Sequence, residues 1–98
     1  MKDSEVVERA IEILDQRGWC QCQASDDEGR VCMSWAVGRA AITERFDDTR
    51  QRGRVLDHIS AITGGLSVPY WNDQAGRTFD EVRDKLTETA KDLRDRGQ

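Results

Sequence analysis

Three cysteines and one histidine, Cys20, Cys22, Cys32 and His58, are the side chains of this sequence best suited to holding a metal or attacking an electrophile. As residue types they complete a four-ligand zinc set. Their spacing points elsewhere. Zinc knuckles separate paired cysteines by about two to four residues, whereas Cys20-Gln21-Cys22 is a C-x-C pair and His58 falls in another segment. Cysteine is among the most buried residue types and packs as a small apolar side chain, so a core role outweighs zinc. Cys32 stands near a helix start, where the dipole favours thiolate, and His58 is the one histidine able to act as its base. No elbow or oxyanion motif surrounds that cysteine, which leaves a Cys32–His58 pair without local support. Asp26-Asp27 and Asp47-Asp48 occupy turn positions that favour aspartate. Asp26-Asp27-Glu28-Gly29 does not fit a calcium loop, and Gly38 and Gly64-Gly65 lie outside phosphate-binding spacing. The sequence therefore assigns no catalytic residue, metal or cofactor.

The most specific pattern is Tyr70-Trp71-Asn72-Asp73 followed by Arg77-Thr78. Read structurally, Trp71 buries its ring, Asn72 or Asp73 holds a turn, and Arg77 pairs with Asp73. Read functionally, Tyr70, Trp71, Asn72, Asp73 and Arg77 form a partner-binding edge, since tyrosine, tryptophan and arginine dominate interface hot spots. A second candidate surface is the acidic face of the first helix, with Glu5, Glu8 and Glu12.

Charge narrows the partner class. The net charge is −4, unevenly placed: residues 1–29 carry three basic and eight acidic side chains, and residues 30–66 carry six basic and four acidic. An acidic chain repels phosphates, so nucleic acid is a disfavoured partner. Arg39, Arg45, Arg50, Arg52 and Arg54 are the local exception, and such a cluster reads as a solvated helix face and loop before it reads as a phosphate site. No apolar run reaches membrane-spanning length, and Met1-Lys2-Asp3-Ser4-Glu5 lacks a signal-peptide layout. The expectation is a cytoplasmic chain with reduced cysteines, their odd number arguing against a disulfide framework.

The elements that must position these residues form a mainly α fold: one compact domain over 1–98, with four helices and a short β-hairpin at about 19–33. With 37% apolar and 35% charged residues, periodically arranged, the chain folds around a modest core. Val6, Val7, Ala10, Ile11, Ile13 and Leu14 make an apolar stripe over Ser4–Arg17, capped by Asp3 or Ser4 and stopped by Gly18. Ser34 opens a small-residue helix to about Phe46, in which Gly38 admits a close neighbour. A third helix spans roughly 50–63 and ends at Gly64-Gly65; Leu66–Gly76 is a loop. Thr78-Phe79-Asp80-Glu81 is a capping box that opens the last helix, with Phe79, Val82, Leu86, Ala90 and Leu93 on one face and a Glu81–Lys85 pair outside.

Gly18-Trp19-Cys20-Gln21, Asp27-Glu28-Gly29-Arg30-Val31-Cys32 with Ala36-Val37-Gly38-Arg39-Ala40, and Trp71-Asn72-Asp73 with Gly76-Arg77-Thr78 and Glu81-Val82 span nearly the whole chain. In these stretches the sequence resembles a small domain-of-unknown-function family of actinobacteria and their phages. The resemblance implies a small, mainly helical, cytoplasmic or phage-encoded protein and brings no activity or cofactor. The combined expectation is a non-enzymatic protein-binding module that modulates a host protein, with a homodimer as one form. The alternative is a zinc- or thiol-dependent protein using Cys20, Cys22, Cys32 and His58; a third reading has the acidic face mimic nucleic acid.

Overall fold

In a computed structural model that describes residues 1–43 and 46–98, five helices follow one another: α1 (Asp3–Arg17), α2 (Met33–Ala40), α3 (Thr49–Ile62), α4 (Val68–Asp73) and α5 (Phe79–Asp95). The apolar stripe of α1 makes it the central element, packed between α2 and α5, and α3 closes the core against α2 and α5. Val6, Val7, Ala10 and Leu14 of α1 meet Met33, Ala36, Val37 and Ala40 of α2. Val55 and Ile59 of α3 and Val82, Leu86, Ala90 and Leu93 of α5 complete the cluster. Ala36 and Ala40 let α2 pack against α1, whereas Gly38 faces Arg52 of α3, where a Cβ would stand 3.3 Å from Arg52 Cδ. The molecule is mainly helical, as its periodicity predicts, and no helix among the described residues is long and apolar enough to cross a membrane.

Helix ends follow their caps. The Thr78 hydroxyl accepts from the Glu81 N–H at 3.2 Å, and Glu81 Oε1 accepts from the Thr78 N–H at 3.0 Å, completing the expected capping box. Gly18 ends α1 with φ +88°, and a Cβ there would stand 2.9 Å from Arg30 Cγ, so both conformation and space demand glycine. Neither Asp3 nor Ser4 caps α1. Lys2 holds that position without a side-chain bond, while Asp3 turns to α3 and accepts from Gln51 at 3.1 Å and Arg54 at 3.1 Å.

Four expectations are corrected. The segment 66–76 is not all loop: Ser67 caps a helical turn, with Pro69 near its start where a missing N–H costs nothing, and this turn is α4. The segment 19–33 forms no hairpin ladder, only isolated bridges from Val31 to Trp19 and to Ser25, because Cys22 at φ +67° breaks the extended run. Helix α2 begins at Met33, capped by the Cys32 sulfur instead of Ser34, and stops at Ala40. Its next carbonyl, that of Ala41, accepts from the Asp48 N–H in a turn, and the rest of the expected extension, Glu44-Arg45, lies outside the described residues. Lys85 pairs with Glu88 at 3.2 Å, while Glu81 pairs with Arg77 at 2.9 Å, so the Glu81–Lys85 pair is not made.

Candidate functional site

The single turn of α4 aims two residues inward. Trp71 is 5% exposed and Asn72 is fully buried, and a buried amide needs partners for both its ends. Asn72 has them. Its Oδ1 accepts from Trp19 Nε1 at 2.6 Å and from the Met33 N–H at 3.1 Å; its Nδ2 donates to the Cys20 carbonyl at 3.1 Å and to Asp73 Oδ1 at 2.9 Å. Gln21 Nε2 adds bonds to the carbonyls of Asn72 and Gln74 at 3.0 and 2.9 Å, and the Cys22 N–H donates to Asp73 Oδ1 at 2.8 Å. One side chain thus ties the irregular segment 19–32 and the start of α2 to α4. Aspartate 73 holds Cys22 in its left-handed conformation, which explains how a non-glycine residue is kept there.

Arg77 does not pair with Asp73. Its guanidinium lies 3.7 Å from the Trp71 ring centre, donates to the Trp71 carbonyl at 3.0 Å and to Glu81 at 2.9 Å, and also bonds Gln74. The bond from the Thr78 N–H, joined by bonds from Arg77 and the Thr78 hydroxyl, holds the Glu81 carboxyl below its ordinary value although burial pushes it up. Above this bonded base sits an open cleft of about 670 Å³, lined by Tyr70, Asp73, Gln74, Gly76, Arg77 and Glu81. Tyr70 stands 61% exposed at its edge. Of the five candidate residues in this segment, Trp71 and Asn72 face the interior, Arg77 is largely enclosed, and Tyr70 and Asp73 reach solvent.

The acidic face of α1 is divided. Glu5 accepts from the Lys2 N–H at 2.8 Å, Glu8 pairs with Arg94 of α5, and Glu12 is exposed. Beside them Arg83 of α5 pairs with Asp15 at 2.9 Å, and its hydrogen bond holds that carboxyl below its ordinary value. Within the arginine cluster, Arg54 binds Asp3, Arg52 stands 3.8 Å from Asp47, Arg39 and Arg50 are exposed, and Arg45 is outside the described residues.

The cysteines and the histidine have separate local partners. The buried Cys20 thiol faces the carbonyls of Gln23 and Arg30 at 3.5 and 3.4 Å, and burial, with Asp26 nearby, pushes its pKa up. Cys32 is buried as the α2 cap, its sulfur 3.3 Å from the Ser34 hydroxyl; Cys22 is exposed. His58 Nε2 bonds Asp92 Oδ2 of α5 at 2.7 Å, and that bond holds the Asp92 carboxyl below its ordinary value. Among the described residues no group of three or more His, Cys, Asp or Glu side chains is arranged to hold a metal.

Sequence reasoning missed the partners of Asn72. Trp19, Gln21 and Asp73 act on one node, and the signal was available only as an unexplained tryptophan and glutamine in an otherwise small-residue turn. The fold and this node define a small, mainly helical protein organised around a buried asparagine. The chain belongs to the family of unknown function DUF6197, whose model matches residues 1–92. No curated protein and no solved structure matches it.

Proposed function

We propose that this protein is a non-enzymatic binding module that presents the Tyr70 edge of α4 to a protein partner in the cytoplasm. The observation that carries the reading is the contrast at that edge. Trp71, Asn72 and Arg77 are fixed by internal bonds, while the neighbouring Tyr70 stands 61% exposed over an open cleft. An aromatic on a rigid base loses little conformational entropy on docking, the property that makes tyrosine effective at interfaces. The acidic residues Glu5, Glu8 and Glu12 belong to the same proposal as a second contact surface, with Glu12 the most available. A phage-encoded modulator of a host protein is the biological form that the family resemblance supports.

Affinity capture from the native host, comparing the wild-type chain with Tyr70→Ala, tests the reading. A partner enriched on wild type and reduced about tenfold on the variant supports it, a loss equivalent to one hot-spot side chain. Equal capture by both chains, with circular dichroism confirming that both are folded, would exclude the Tyr70 edge. Charge reversal at Glu5, Glu8 and Glu12 tests the α1 face in the same assay.

A further inference from the structure

A second concavity, of about 330 Å³, is lined by Ala24, by Trp35, Gly38, Arg39 and Ile42 in and just beyond α2, and by Arg52 of α3. Its wall is predominantly apolar. Gly38 keeps it open: a Cβ there would stand 3.3 Å from Arg52 Cδ, and anything larger would occupy the groove. Its charge is the reverse of the chain's. The protein carries −4 overall, yet no carboxylate lines the groove among the described residues. Arg39 is exposed with no acidic partner among those residues, and Arg52 meets Asp47 only at 3.8 Å. The Arg17 guanidinium, which does not line the groove, lies 4.9 Å from the centre of the Trp35 ring.

We propose that this groove docks an acidic peptide segment of a partner protein through one large apolar side chain. The anchor packs on Trp35, Gly38 and Ile42, and flanking Asp or Glu residues meet Arg39 and Arg52. The volume is at the low end of the roughly 300–1,000 Å³ typical of ligand sites, enough for one aromatic or leucine side chain. Charged flanks steer and orient such a segment, while the apolar anchor supplies the burial. A polyanion such as nucleic acid would use the arginines but leave the apolar wall unsatisfied, which favours the peptide. This face is separate from the Tyr70 edge, so the two readings stand or fall independently.

The test pans a display library of random peptides, about twelve residues long, against the full chain. Enriched peptides are then synthesised and titrated by fluorescence anisotropy against wild type, Gly38→Leu, Arg39→Glu and Tyr70→Ala. The expected result is a shared large apolar residue flanked by Asp or Glu. Binding should weaken about tenfold or more with Gly38→Leu and with Arg39→Glu, and stay unchanged with Tyr70→Ala. Arg39→Glu alters only an exposed position, so the test survives should Gly38→Leu fail to fold. Four results would overturn the proposal: no enrichment, enriched sequences without acidic residues, binding indifferent to both groove variants, or a single-stranded oligonucleotide that binds wild type more tightly than the peptides. A fifth would be a concentration-dependent dimer abolished by Gly38→Leu, which reassigns the groove to a second copy of the chain.

Discussion

Asn72 is the residue on which the site geometry depends most. Its side chain satisfies an indole N–H, a backbone N–H and a backbone carbonyl from the other half of the chain. Asn72→Ala leaves those groups without partners inside a fully buried space, at a cost of about 1–3 kcal/mol for each group left unsatisfied. Chemical denaturation should therefore show a loss of about 3 kcal/mol or more; a loss under about 1 kcal/mol would mean that water replaces the amide. Aspartate is no substitute, because it cannot donate to the Cys20 carbonyl and brings a second carboxylate beside Asp73. The thiols give another residue-scale prediction. Cys22 is exposed, whereas Cys20 and Cys32 are buried. A chromogenic disulfide reagent should modify Cys22 rapidly in the native protein and the other two only on denaturation. Rapid reaction of a second native thiol would contradict that burial.

At the scale of elements, caps and periodicity explain what could be read from sequence. Helices α1 and α5 were legible because each repeats apolar residues on one face over several turns, and Thr78 with Glu81 marks the start of α5. Helix α4 was not. One turn is too short to show a period, and Pro69 reads as a break when it stands near a helix start. The segment 19–33 departs from its pattern for a different reason: its alternation suggests a hairpin, but its internal bonds stop at isolated bridges and its outer ones run to Asn72, Asp73 and Gln74. Of the candidate site, the inward role of Trp71 was legible; the bond from the Cys22 N–H to Asp73 was not, nor was the Arg77 stack on Trp71, because sequence spacing favoured Asp73 equally well. Cap energetics offer a check. Thr78→Ala removes a cap from a long helix and should cost about 1 kcal/mol in equilibrium unfolding. Ser67→Ala should cost less, since the Tyr70 N–H lies at 3.4 Å from the Ser67 hydroxyl and the helix is one turn long.

Across the whole molecule, carboxylates join elements distant in sequence. Asp92 meets His58, Asp15 meets Arg83, and Asp3 meets Arg54 and Gln51. The Asp92 carboxyl is held low by its His58 bond and the Asp15 carboxyl by its Arg83 bond. Burial pushes Asp3 up, but the bonds from Arg54 and Gln51 together outweigh it, so it too lies below its ordinary value. A carboxyl lowered on folding stabilises the native state above the unfolded value, and that contribution disappears as pH falls through the folded value. Since the ordinary value is 3.8 for these aspartates, thermal melts should change little on their account between about pH 5 and 7 and fall steeply below about pH 4. Asp15→Asn should flatten the acid limb; an unchanged limb would remove that pair from the account.

The amide of Asn72 also sets an order of events. Its partners Trp19, Met33 and Cys20 lie 53, 39 and 52 positions away in the chain, so bonds within residues 18–32 shape the segment but only long-range ones fasten it to α4. Closing loops of that length precedes any gain from the bonds that reward it. The segment is therefore expected to lock onto α4 after the helices have met and to be the first released. Stopped-flow kinetics of Asn72→Ala should show faster unfolding with a folding rate close to wild type. The most bonded side chain among the described residues would then be a latch, closed on a scaffold already assembled.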